Sequence, residues 1–178
     1  IPIVTPRPDA GRFIDTLMGR RPAEHPSLVE YLVDPAVMKP IVEDLLGRTW
    51  SPGGQDRDAQ RAWLDQFVDF WLRLGYDVVR FEAGLPFPER KLAAADPTAA
   101  EGRRDWADEH GGAIRTWEDF ERYPWEELPD RYWRLAGPQF DALARTLPAG
   151  MKAVGGVGNG GFEISEGLVG YEYLAYLM

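Results

Sequence analysis

Gly75-Tyr-Asp-Val-Val-Arg-Phe-Glu-Ala83 is the stretch on which the fold turns. From Asp77 it reads as a strand by two-residue alternation, with Val79, Phe81 and Ala83 on one face and Arg80 and Glu82 on the other. The residues before it follow a different period. Trp63, Phe67, Phe70, Trp71 and Leu74 recur at i, i+4, i+7, i+8 and i+11, which predicts an amphipathic helix from about Asp58 to Leu74 that Gly75 ends. A helix feeding a strand through a glycine is the unit from which α/β folds are built.

Working outward, the same alternation of elements recurs on both sides. Asp9 can cap a short helix carrying Phe13, Ile14, Leu17 and Met18, which Gly19 stops. Ser27-Leu-Val-Glu-Tyr-Leu-Val33, apolar on both faces and interrupted only by Glu30 and Tyr31, predicts a buried parallel strand. Asp34-Pro35 opens a helix with Val37, Ile41, Val42 and Leu45 that Pro40 should kink before Gly47. Between 84 and 115 no periodicity emerges, so a long functional loop is expected there, acting as a lid. Thr116-Trp-Glu-Asp119 has the form of a capping box, and Phe140, Leu143, Ala144 and Leu147 continue a further helix to the turn at Pro148-Ala-Gly150. Met151 to Val157 predicts a third strand, Asn159-Gly-Gly161 a turn, and Phe162 to Met178 a last amphipathic helix. Strands alternating with helices imply an α/β fold with parallel pairing, either an open doubly wound sheet or part of a (β/α)8 barrel. A whole barrel needs about 250 residues, so 178 residues with three strands amount to the N-terminal portion of one, a single domain incomplete at its C-terminus.

Composition narrows the function. Twenty Lys+Arg against 29 Asp+Glu give a net charge of −9, which argues against nucleic acid as a partner. No apolar run approaches the ~20 residues of a membrane span, so neither a membrane nor a secretory address is expected and the cytoplasm is the default. With no Cys, the chain offers no thiolate nucleophile or CxxC metal site. The opening at Ile1 and the uncapped apolar end at Tyr173-Leu-Ala-Tyr-Leu-Met178 suggest a fragment.

Three features invite a functional reading. Glu30 interrupts an apolar strand; it is either a buried carboxylate held by an Arg or a group facing the mouth of a barrel. Arg80 and Glu82 either pair with each other or orient a polar substrate. Gly156-Val-Gly158-Asn-Gly-Gly161 fits GxGxxG between a strand and a helix, so its backbone N–H groups could receive an anion, with Asn159 and Glu163 lining the turn, and a dinucleotide-binding module is the alternative function. His25 and His110 have no partner at metal-ligand spacing and read as surface residues; Trp63 and Trp71 read as core.

Several segments, in order, resemble the uroporphyrinogen decarboxylase (URO-D) superfamily, which includes corrinoid-dependent methyltransferases. Arg12-Phe-Ile-Asp-Thr-Leu-Met-Gly-Arg-Arg-Pro22 with His25-Pro26 is similar to that family's N-terminal helix and turn. Gly75 to Pro88 is similar to its second strand and following loop. Trp117-Glu-Asp-Phe-Glu-Arg-Tyr-Pro-Trp125, Leu147-Pro-Ala-Gly-Met151 and Gly158-Asn-Gly-Gly-Phe162 resemble later pieces. The resemblance implies a TIM-barrel enzyme acting on a small molecule. Charges at the strand ends of such a barrel are the expected catalytic groups, Glu30, Arg80 and Glu82, with substrate contacts expected at Tyr31, Gly84, Phe87, Gly158, Asn159, Gly160, Phe162 and Glu163. Decarboxylases of the family carry an Arg-rich first turn and an Asp after the second strand. Here the turn reads Glu30-Tyr-Leu-Val-Asp34 and the Asp position falls near Gly84. That implies a methyltransferase-like relative rather than a haem-pathway decarboxylase, although true uroporphyrinogen decarboxylation remains an alternative. No cofactor is expected on these residues; the family's zinc would be held beyond Met178. A corrinoid protein and a second copy of the chain, forming a homodimer, are the implied protein partners.

Overall fold

Asp9 starts the first helix. Its carboxylate accepts the Arg12 N–H at 2.9 Å, and α1 runs Ala10–Leu17 before Gly19 turns the chain at φ 67°. The computed structural model describes residues 3–22, 25–54, 56–97, 99, 102–108 and 110–178. Asp34 caps α2, Pro35–Pro40, through the Ala36 N–H, and at Pro40 the α-helix gives way to a π-helical turn, Ile41–Leu45. The expected kink therefore takes the form of a change of helix type, since Pro40 has no N–H to offer the α ladder. Helix α3, Arg57–Arg73, follows the Asp56 cap and ends at Gly75, φ 92°. The hydrophobic period placed it within a residue of its observed bounds.

The chain divides into two compact units. The first comprises Ile1–Phe81 with Pro138–Gly156, the second Glu82–Gly137 with Val157–Met178. In the first, β1, Val78–Arg80, pairs in parallel with β4, Lys152–Val154, with Val79 opposite Ala153. This is the expected parallel pairing of the 77–83 and 151–157 segments, shortened to three residues each. Both faces of β1 are covered: Val78 joins Ala10 and Phe13, while Val79 and Phe81 join the α3 residues Phe67, Phe70 and Trp71. Phe70, 1 % exposed, meets Trp71 edge-on at 5.0 Å, and Trp63 stacks on Phe67 at 5.1 Å.

Residues 27–33 correct the first expectation: they form no strand. Leu28, Val29 and Leu32 are 50–67 % exposed, and an apolar run becomes a strand only where a partner takes its N–H and C=O groups. Ser27 and Leu28 share a cavity with Gly75 and Asp77, and Tyr31 lies against Arg80.

The second unit corrects two more. The stretch 84–115 contains an antiparallel hairpin, β2 Lys91–Ala95 with β3 Arg103–Ala107, pairing Leu92 with Trp106. Its side chains on β2 are all exposed, so no alternation of polarity marked it. The last helix is two, α6 Gly161–Val169 and α7 Tyr171–Leu177, parted at Gly170 with φ 86°. The capping box at Thr116 is present and opens α4, Trp117–Arg122. N–H bonds from Arg115 and Thr116 at 3.1 Å hold the Asp119 carboxyl below its ordinary pKa range. Between Glu82 and β4 lies α5, Leu128–Thr146, which belongs to the second unit up to Gly137 and to the first from Pro138. The architecture is mixed helix and sheet with a parallel strand pair, α/β at that level; among the described residues no barrel closes. Nor is any described helix long and apolar enough to cross a membrane.

Candidate functional site

In parallel sheets, chemistry gathers at the carboxyl ends of the strands, and β1 ends on Arg80. Val78 and Arg80 point to the same side of the strand; the first is buried against α1 and the second is partly exposed at the strand's end. The guanidinium lies 3.2 Å from the centre of the Tyr31 ring. Such stacking fixes the direction of a long, otherwise mobile side chain and keeps its charge. Glu30 is exposed, and its carboxylate accepts the Tyr31 N–H at 3.0 Å. Its charge also reaches Tyr76, whose pKa is raised by burial first and by Glu30 second. The structure thus brings together Glu30, Tyr31 and Arg80 from the expected set and adds Tyr76. Glu30 is not the buried carboxylate that an apolar strand would have made of it.

The remaining expected residues belong to the second unit. Gly158, at φ 85°, comes close to Gly84: a Cβ on Gly158 would stand 3.4 Å from the Gly84 Cα. The glycine turn at 156–161 lies between β4 and α6 as anticipated, but its donor at the helix start is already engaged. The Gly160 N–H donates to Glu163 Oε2 at 2.8 Å. A carboxylate of the chain therefore takes one of the N–H donors that an anion at this helix start would use. Asn159 and Phe162 are exposed beside it, and Glu82 is partly buried. Phe87 packs near Trp125, ring centres 6.4 Å apart, in the cluster of Ile114, Tyr123, Leu128 and Leu168, so its contact is with the core.

Two arrangements escaped the sequence. His110 Nδ1 lies 3.0 Å from Glu172 Oε2, the orientation in which a carboxylate sets an imidazole tautomer. Nothing in a separation of sixty-odd residues could have signalled it. Arg21 and His25, which read as turn and surface residues, line a cavity with Arg12 and Asp77.

The zinc implied by the family resemblance does not fit these residues. The chain has no Cys, and among the described residues no three His, Asp or Glu gather closely enough to hold an ion. No family model matches the chain, and no curated protein or solved structure matches it either.

Proposed function

We propose that this chain is the N-terminal portion of a (β/α)8-barrel enzyme of the URO-D superfamily, methyltransferase-like rather than a haem-pathway decarboxylase, and that Arg80 with Tyr31 and Glu30 binds and orients its small-molecule substrate. The observation that carries the reading is the course of residues 27–33. Ser27 shares a cavity with Asp77 and Tyr31 stacks on Arg80, an order of contacts that fits a preceding parallel strand in a barrel. The two segments thereby bring a cation, an aromatic face and a carboxylate to one strand end.

The charges favour one of the two reactions of the family. Arg80 attracts a single anionic group, while Glu30 beside it repels a second, so a substrate with one carboxylate or phosphonate-like end is favoured over a tetrapyrrole with many. The chain's own task in methyl transfer is to hold that substrate; its residues assign no step to a metal.

The protein carrying this chain together with the rest of the barrel should be incubated with methylcobalamin and a small thiol, following loss of the cobalt–carbon absorbance, and separately with uroporphyrinogen, following its products by chromatography. Methyl transfer that falls about tenfold or more in Arg80→Ala and Glu30→Gln is expected, with the tetrapyrrole unchanged. Decarboxylation of uroporphyrinogen, or methyl transfer indifferent to both substitutions, would overturn the assignment.

A further inference from the structure

The other end of β1 holds a second arrangement, independent of the one above. A cavity of about 170 Å³ opens between α1, the turn that follows it, and the residues leading into β1. Its polar lining comprises Arg12, Thr16, Arg21, His25, Ser27 and Asp77. Two of these are committed. Asp77 is buried and accepts the Asp9 N–H at 2.8 Å and an Arg12 N–H at 2.7 Å, so this pair fastens α1 to the start of β1 and forms a fixed rear wall.

Among the described residues, three of the other four are donors with no partner of their own: Arg21, His25 and Ser27 make no hydrogen bond or ion pair through their side chains, yet all three face the same concavity. An isolated surface Arg needs no explanation. An unpaired guanidinium, an imidazole and a hydroxyl around one hollow, on a chain of net charge −9, do. Counting Arg12 and Arg21 against Asp77 leaves one positive charge. The three groups supply N–H and O–H donors, which suits an acceptor-only ligand. A cavity of about 150 Å³ accommodates a benzene-sized molecule, so a tetrahedral oxyanion fits with little to spare.

We infer that this cavity binds a phosphate group, with Arg21 as its principal ligand and His25 and Ser27 completing the contacts. Arg21 forms the charge-assisted pair, and Arg12, held by Asp77, adds positive potential without having to move. The phosphate can arrive free or as the monoester of a small metabolite. Because the site lies at the amino end of β1, whereas Arg80 stands at its carboxyl end, it serves binding or control and not the reaction proposed above.

The test is titration of the purified chain, isotopically labelled, with inorganic phosphate, phenyl phosphate and acetate at constant ionic strength, following the Arg21 side-chain and His25 ring signals by NMR. Both phosphates should shift these signals saturably, and Arg21→Ala should weaken binding about tenfold, with Arg21→Lys recovering part of it. Arg21 is exposed, so the folded spectrum should survive both substitutions. Tighter binding of phenyl phosphate would identify a monoester as the ligand, and equal binding the free ion. Acetate binding as well as phosphate, or phosphate affinity unchanged in Arg21→Ala, would overturn the inference.

Discussion

The two compact units are held together in different ways. In the first, one helix supplies more of the core than any other element: Leu64, Phe67, Val68, Phe70 and Trp71 of α3 pack with Val42, Val79, Phe81 and Leu143, ring against ring among the aromatic residues. In the second, the buried cluster draws single residues from four places, Ile114, Tyr123, Leu128 and Leu168, and its hairpin lies in the open. A core concentrated on one helix face forms cooperatively as that helix docks. A core gathered from turns depends on backbone fit, as where Ile114 donates its N–H to the Leu168 carbonyl at 2.9 Å and Gly112 leaves no room for a Cβ against the same carbonyl.

The comparison breaks most readily at Phe70. Phe70→Ala should destabilise the first unit by about 3–5 kcal/mol in urea denaturation, because it removes a fully buried ring from a packed aromatic array. Leu168→Ala should cost less, about 2–3 kcal/mol, and raise amide exchange mainly within residues 82–137 and 157–178. Equal costs for the two substitutions would erase the distinction between the units.

A smaller effect sharpens it by pH. The Tyr123 hydroxyl donates to the Pro88 carbonyl at 3.0 Å, and burial, aided by Glu89, pushes its pKa up to about 12 from 10.0. The folded state thus holds the phenol proton more tightly than the unfolded one. The associated stability is complete below pH 10 and disappears as pH rises from 10 to about 12. In Tyr123→Phe this alkaline loss should flatten, as read by thermal denaturation across that range; an unchanged profile would place the titration elsewhere. Smallest of all, Arg48→Ala removes a part-exposed pair with Asp69 at 3.1 Å. It should cost the first unit no more than about 1 kcal/mol, confirming that rings and not ion pairs hold it.

The same contrast explains what could be read from the sequence. Helix α3, its glycine stop, the caps at Asp9, Asp34 and Thr116, and the pairing of the segments after Gly75 and Gly150 are local patterns, and each is present. The hairpin was hidden because Lys91-Leu-Ala-Ala-Ala95 has neither alternation nor a short turn dipeptide. The strand expected at 27–33 failed for a non-local reason, since hydrophobicity says what should be covered and not whether a ladder partner is there. Among the site residues, Arg80 was legible as a charge at the end of a buried strand. Its stacking on Tyr31 depends on the neighbouring position of residues 27–33, and Phe87, expected to touch substrate, packs against the core of the second unit, which no local pattern signalled. The grouping of Arg21, His25 and Ser27 likewise arises only when α1 and β1 are fastened by Arg12 and Asp77.

The π-helical turn after Pro40 bears on how this chain tolerates length changes. Met38, Val42 and Leu46 all face the core at four-residue intervals. In a pure α-helix each such interval overshoots a full turn by about 40°, so the three contacts would spread over about 80° of the helix surface. The wider turn, closed by Leu46 N–H to Ile41 O at 2.9 Å, holds one residue more per hydrogen-bonded ring and winds the stripe back. Glu43 and Asp44, both exposed, occupy that slack. Deleting either would leave Leu46 three residues beyond Val42, about 60° round the helix and on the same side as Met38, so all three keep to one face. The turn is thus a place where this proline-containing helix can lose a residue without losing its core contacts.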